Sequence, residues 1–387
     1  MLDTSFAGAA APSALVDKLL EINWGLIFFL TLVACIGFAM LYSAAGGSFD
    51  PWAKAQMIRF VLGLAVLFIV AMIDPRVWMS LAYPAYGFAL LLLIAVFLVG
   101  EIGGGARRWL DLGPVNLQPS ELMKVTLILA LARYFHGLTF ARVSNPLFLV
   151  PAFLMMALPA ALVIKQPDLG TGLLILGIGV GLIFLAGLQW RLILGSLAAA
   201  GAAVFAFGDW VWNSLLEEYQ RNRILTLFNP ELDPQGTGFH IIQAKIALGS
   251  GGIWGKGFMQ GTQSHLDFLP ERQTDFIFSM LAEEFGLMGC VFLMAVYLII
   301  LGYGVSIAIS TRSHFTRLLA MGVTINFLFY IVINMAMVMG MIPVVGVPLP
   351  LVSYGGTAMI VLMFGFGLLM SAHVHRELEI PRAGALF

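Results

Sequence analysis

Charge is scarce in this chain: Asp, Glu, Lys and Arg make up 11% of its residues, against 60% that are hydrophobic. A soluble domain can hardly hide that much apolar surface, whereas apolar runs of about 20 residues match the hydrocarbon core of a bilayer. Net charge is equally thin, and a formal value of -1 gives no pull towards nucleic acid. Cysteine is nearly absent. Cys35 and Cys290 both lie within apolar runs, which argues against a disulfide and more strongly against a metal site. The segment before Trp24 carries Asp3, Asp17, Lys18 and Glu21 and lacks a basic start followed by a short apolar region. No cleavable signal is expected, and the first apolar run acts as an uncleaved anchor.

What the chain does contain is a succession of apolar segments, near 23–45, 54–73, 77–100, 118–136, 146–164, 168–188, 190–212, 274–307, 315–340 and 352–374. Backbone groups in lipid must be satisfied within their own segment, so these runs predict helices. The expected fold class is all-α: one integral membrane domain over 1–387, with about ten transmembrane helices. An even number puts both termini on one side. Short loops on that side collect Lys18, Arg76, Arg133, Arg142, Arg191, Arg312, Arg317, Arg376 and Arg382, which places it in the cytoplasm. The opposite short loops hold Lys54, Arg107, Arg108 and Lys165, with Arg59 just inside a helix. The long loop 213–273 then lies outside, and a loop of that length is usually functional or disordered. Its Trp254, Phe239, Ile241 and Ile242 argue against disorder, and FHIIQAKIAL predicts a short surface helix.

Three polar clusters fall on this outer side. In GGARRWLDLGPVNLQPSELMK, Glu121 and Lys124 are three apart and share a helix face, either as a structural ion pair or as a functional site in the outer leaflet. Trp109 has the interfacial belt aromatic as its plain reading. In VIKQPDLGTG, Lys165 and Asp168 flank a reversal, where Asp168 alone reads as a helix cap. GSGGIWGKG fails the nucleotide-loop spacing at Ser250, and Gly257 stands where Ser or Thr is required. It leaves two readings, a flexible turn or an anion nest with Lys256. Together Arg108, Lys165, Arg221, Arg223, Lys245, Lys256 and Arg272 give one membrane face a cationic surround suited to an anion.

Seven stretches then carry a resemblance: GARRWLDLG with QPSELMK, KQPDLGTG, YQRNRILTLFNPELDPQGTG, IALGSGGIWGKG, GTQS, FLPERQTDFIFSMLAEEFG and MGMIPVVGVPLPLVSYGGT. In this order the chain resembles the shape, elongation, division and sporulation (SEDS) family, nearer its elongation branch than its division branch. The resemblance implies a bacterial inner-membrane peptidoglycan glycosyltransferase that polymerises lipid II into glycan strands beside a class B penicillin-binding protein, so 213–273 is periplasmic. It implies inverting transfer from a growing chain's MurNAc to the C4 hydroxyl of a lipid II GlcNAc, with release of undecaprenyl pyrophosphate. No cofactor is certain; Mg or Mn is the candidate divalent cation.

By the same resemblance Asp275 matches the family's essential aspartate and is the expected general base. Its place ahead of the eighth apolar run suggests a first-turn carboxylate that the helix dipole keeps ionised. Trp109, Glu121 and Lys124 match positions needed for activity. The candidate substrate contacts are therefore Arg108, Trp109, Glu121, Lys124, Lys165, Asp168, Arg221, Lys245, Lys256 and Arg272. The match departs at Gln273, where the family has His, and glutamine cannot shuttle a proton. Glu283 and Glu284 lie deeper, at least one as a buried polar contact. Two other classes compete. A lipid II flippase should carry charge through the midplane, whereas these charges sit at the outer side; a non-catalytic scaffold for the penicillin-binding protein would tolerate loss of Asp275. The partner's expected docking face is Phe327, Ile331 and Met335 on the ninth run, where Asn326 and Asn334 bond either to a neighbouring helix or within the chain's own core.

Overall fold

The computed structural model describes residues 15–103, 106–111, 113, 116–143, 145–233, 236–266 and 271–381. After a short α1 (Leu15–Leu20), three long helices follow, α2 (Trp24–Ala44), α3 (Trp52–Met72) and α4 (Pro75–Val99). Strands β1 (Glu101–Gly103), β2 (Ala106–Asp111) and β3 (Asn116–Leu117) precede α5 (Pro119–His136), α6 (Phe140–Val143), α7 (Pro146–Lys165), α8 (Leu169–Leu185) and α9 (Trp190–Trp210). The stretch expected to be one long loop carries α10 (Glu218–Phe228), α11 (Thr237–Ser250) and α12 (Thr262–His265). The chain ends with α13 (Ile277–Ser310), α14 (His314–Val338) and α15 (Thr357–Val374).

Each apolar run of the sequence is occupied by a helix. Among the described residues, α2, α3, α4, α7, α13, α14 and α15 are long and apolar enough to cross a membrane. α8 is shorter at 17 residues, and α5 carries Glu121, Lys124 and Arg133. This is a multi-pass membrane fold. It is not purely helical, because β1, β2 and β3 form a small antiparallel sheet in that order. A strand pair inside the hydrocarbon would leave unsatisfied edges; this one lies in the polar connection between α4 and α5.

Close helix contact rests on small residues where backbones meet. A Cβ on Gly367 of α15 would lie 2.7 Å from the Val70 Cβ of α3, and one on Gly63 would lie 2.8 Å from the Met363 Cγ. With no hydrophobic drive between helices in lipid, such close approach supplies the packing that holds them. α14 runs through the protein interior. Phe327, Ile331 and Met335 are 1%, 6% and 6% exposed, so the face expected to meet a partner packs into the chain's own core. Their apolar character fits either environment; only the packing tells them apart.

α13 is broken in its first third. Gly286 has φ 64° and ψ −162°, outside helical space and in a region open to glycine. The break frees backbone groups, and the glycine-rich segment after α11 takes them up. The N–H groups of Lys256 and Gly257 donate to the carbonyls of Glu283 and Glu284, at 2.9 and 3.0 Å. The N–H groups of Leu287 and Met288 donate to the carbonyls of Gly252 and Ile253, at 2.9 and 3.1 Å. A Cβ on Gly255 would lie 2.1 Å from the Glu284 carbonyl oxygen, so the approach needs glycine there. The turn reading of GSGGIWGKG holds, and its N–H groups at 256 and 257 are spent on the protein's own helix.

Candidate functional site

A cavity of about 530 Å³ opens between the sheet, the starts of α5 and α8, α10, the turn before α13, and the loop between α14 and α15. Local structure aims each polar group into it. Pro119 starts α5, where its missing N–H costs nothing, and this places Glu121 in the first turn and Lys124 one turn later. Asp168 caps α8, its Oδ1 accepting from the Thr171 N–H at 3.2 Å, while Gln118 Nε2 donates to its Oδ2 at 3.4 Å. β2 contributes Arg108 and Trp109. The Arg108 guanidinium donates to the carbonyls of Gln166 and Pro167. Carbonyls orient it without pairing it to a carboxylate by a hydrogen bond.

Glu121, Lys124 and Tyr330 form a closed, buried set. Lys124 Nζ donates to Glu121 Oε1 at 2.7 Å, and the Tyr330 hydroxyl donates to Glu121 Oε2 at 2.5 Å. Lys124 Nζ also contacts the Tyr330 hydroxyl and lies 4.2 Å from the ring centroid. The expected ion pair is present, with a tyrosine from α14 as its third member. A charge in a membrane helix needs such partners, since an unpaired one costs several kcal/mol.

Asp275 lies two residues before α13, in the turn over 271–276, so the expected first-turn placement is corrected. The cause is local: Glu271 takes a φ of 56° and the chain runs through successive turns before helical bonding starts. Three bonds hold that turn. Asn334 Nδ2 donates to the carbonyls of Asp275 and Val347, at 3.0 and 2.7 Å. Ser353 Oγ donates to the Thr274 carbonyl at 2.6 Å. The Tyr354 N–H donates to the Gln273 carbonyl at 2.8 Å. Asn334 is fully buried in the core, which decides between its two expected roles. The loop GVPLPLVSYGG thus braces the Asp275 turn from below.

Burial pushes the Asp275 carboxyl up to about 6, Glu271 adds to the rise, and Arg108 opposes it. Burial, not a helix dipole, therefore sets this group's value. A carboxyl near 6 is still about nine-tenths ionised at neutral pH and is a stronger base than an ordinary aspartate. Arg223, on α10, is half-buried; its pKa is lowered by burial and then by Arg108.

The cavity brings together Arg108, Trp109, Glu121, Lys124, Asp168 and Asp275 from the expected set. It adds Arg223, Tyr330, Glu271 and Gln118. Arg221 belongs to the same helix as Arg223 but does not line the cavity; a two-residue step on a helix turns the side chain well away from its neighbour. Lys165, Lys245 and Arg272 also lie outside it. Lys256 is committed elsewhere, its Nζ donating to Glu283 Oε1 at 2.6 Å and to Thr262 Oγ1 at 2.7 Å. Tyr330 lay hidden in an apolar run, with no pattern to separate it from core aromatics. Among the described residues no group of three His, Cys, Asp or Glu side chains is placed to hold a metal ion.

The family model for the FtsW, RodA and SpoVE cell cycle proteins matches residues 19–378. The peptidoglycan glycosyltransferase MrdB of Escherichia coli K12 is 44% identical over 341 residues, covering 88% of this chain and 90% of that protein. The peptidoglycan glycosyltransferase RodA of Treponema pallidum is 30% identical, covering 92% and 98%. Among solved structures, a chain described under structural coordination of polymerization and crosslinking by a peptidoglycan synthase complex has a TM-score of 0.78 at 35% identity, covering 92% of this chain and 98% of that one. The rod shape determining protein RodA of Thermus thermophilus has a TM-score of 0.68 at 31% identity, again covering 92% and 98%. Matches that span nearly the whole chain in sequence and in fold leave one assignment: the chain belongs to the FtsW/RodA/SpoVE family.

Proposed function

We infer that this chain is a peptidoglycan glycosyltransferase of the elongation type, polymerising lipid II in the bacterial inner membrane with the 213–273 segment on the periplasmic side. Its similarity to proteins named for that activity supports the reaction class. The observation that carries the chemistry is the placement of Asp275 at the floor of a polar cavity beside Arg108 and Arg223. The Asp275 carboxylate accepts the proton of the acceptor sugar hydroxyl as that oxygen attacks the donor's anomeric carbon. The bond from that carbon to the pyrophosphate oxygen breaks with inversion, and the departing pyrophosphate takes the electron pair. Arg108 and Arg223 oppose the charge that develops there.

Trp109 supplies an apolar wall, and the Glu121, Lys124 and Tyr330 set holds the cavity's inner end in shape. Mg or Mn enters this proposal only as a cation shared with substrate phosphates, the usual way Mg is held beside one or two carboxylates. The similarity to a peptidoglycan synthase complex supports a class B penicillin-binding protein as partner. Purified protein incubated with lipid II tests the reading: wild type is expected to form glycan strands and Asp275→Asn to form none. An Asn variant that polymerises at near wild-type rate would show that Asp275 is not the base.

A further inference from the structure

Arg59 is a charge that the reaction above does not use. It is the eighth residue of α3, about 10 Å along the helix axis from its start at 1.5 Å per residue. Among the described residues it has no carboxylate partner, and its Nη1 is buried without a hydrogen bond. Its guanidinium lies over the ring of Tyr354, 4.6 Å from the centroid, and Tyr354 lines the cavity. One turn earlier on α3, Gln56 donates to the Ser353 carbonyl at 2.8 Å and accepts from the Gly355 N–H at 3.3 Å. α3 is thus fastened to the cavity wall at the point where Arg59 stands. Stacking on tyrosine returns about 1–2 kcal/mol, and it does not satisfy the Nη1 donor, which stays buried and unpartnered on an otherwise half-buried side chain. A guanidinium so placed is matched by an anion that the protein itself does not provide.

We propose that Arg59 anchors a second phosphate site, distinct from the Arg108 and Arg223 pair, for the phosphate or pyrophosphate of a membrane-embedded lipid. The inference rests on the polymerase reading, because joining two lipid-linked sugars brings two pyrophosphates to one cavity. Only the donor's leaves; the acceptor's stays attached and must be held while its sugar hydroxyl reaches Asp275. Inside the cavity Lys124 is taken up by Glu121, and the charges of Arg108 and Arg223 are shared with Asp275 and Asp168. These two arginines suffice for one pyrophosphate. A second one meets Arg59, stacked on the cavity-lining Tyr354.

The test counts lipids on the purified protein by native mass spectrometry, with undecaprenyl pyrophosphate and phosphatidylglycerol as separate probes. Wild type is expected to retain two undecaprenyl pyrophosphates, Arg59→Gln one, and Asp275→Asn two. Arg59→Lys keeps the charge but not the planar stack or fork, and is expected to retain two with about tenfold weaker affinity for the second. Because it preserves the charge, it also serves if the Gln variant does not fold. In lipid II titrations Arg59→Gln is expected to raise KM about tenfold with a smaller change in kcat. Loss of one phosphatidylglycerol, with the undecaprenyl pyrophosphate count unchanged, assigns the same phosphate site to a bulk lipid. Unchanged counts of both probes in Arg59→Gln overturn the proposal. Wild type that binds no undecaprenyl pyrophosphate and forms no strands overturns the polymerase reading instead, and the phosphatidylglycerol arm still judges Arg59.

Discussion

Asp275 and Glu283 are eight residues apart on one stretch of chain, and they are held in opposite ways. One oxygen of Glu283 is fully engaged: its Oε1 accepts from Lys256 Nζ, the Thr262 N–H and hydroxyl, and the Gln263 N–H, all within 3.0 Å. The bonds around Asp275 go to its backbone, from Asn334, while its side chain faces the cavity. A carboxylate whose Oε1 gathers four donors is a structural anchor, since each charge-assisted bond stabilises its ionised form. A carboxylate pinned by its main chain and left open at its oxygens keeps its capacity for a proton. Glu283 ties the glycine-rich segment to the broken helix, and the short first segment of α13, 277–285, then presents the Asp275 turn.

Substitution at the two acids sharpens this contrast most. Asp275→Asn is expected to lower strand synthesis by at least about 10²-fold, measured with purified protein and lipid II. The same variant should be more stable than wild type at neutral pH. Burial raises the folded-state value of Asp275 above its ordinary 3.8 to about 6, so the folded protein disfavours the ionised form. Stability on this account is greatest below pH 4 and falls as pH rises through the window from about 4 to 6. Removing the charge should return on the order of 3 kcal/mol at pH 7, visible as a higher thermal midpoint. A destabilised Asn variant would contradict the assigned burial.

The buried pair on α5 provides the next largest effect. Glu121→Gln or Lys124→Met alone strands a charge and should cost about 3–5 kcal/mol, while the double variant should cost clearly less than the sum. Additive losses in a double-mutant cycle would argue against coupling. At Glu283, substitution by Gln should cost about 1–3 kcal/mol and speed amide exchange across 251–266, with catalysis reduced only in so far as the Asp275 turn loosens. If exchange speeds up at 271–276 and not at 251–266, the anchor has been placed in the wrong segment. The smallest effect is a shift in a pH profile: activity should rise to half its plateau near pH 6 rather than near pH 4, because the base must be ionised. A midpoint near 4 would show that Asp275 is not buried in the working enzyme.

Sequence alone determined the membrane setting, the positions of the long helices and most of the cavity's acids. Long apolar runs leave the backbone no alternative to helix in lipid, and a charge within such a run must have a purpose. It also brought Arg108, Trp109, Glu121, Lys124, Asp168 and Asp275 onto one short list by motif. What it left open depends on direction and distance. Arg223 and Arg221 look alike in a string, and only the rotation of α10 selects the first for the cavity. Lys256 and Arg108 are both cations in polar connections, and only packing gives the one to Glu283 and leaves the other's charge to the site. Phe327, Ile331 and Met335 are as apolar as lipid, so their inward orientation was decided by helix packing. The raised value of Asp275 likewise belongs to no residue in the sequence. It follows from burial and from a neighbouring carboxylate, which exist only once the turn before α13 has folded onto the loop from α14.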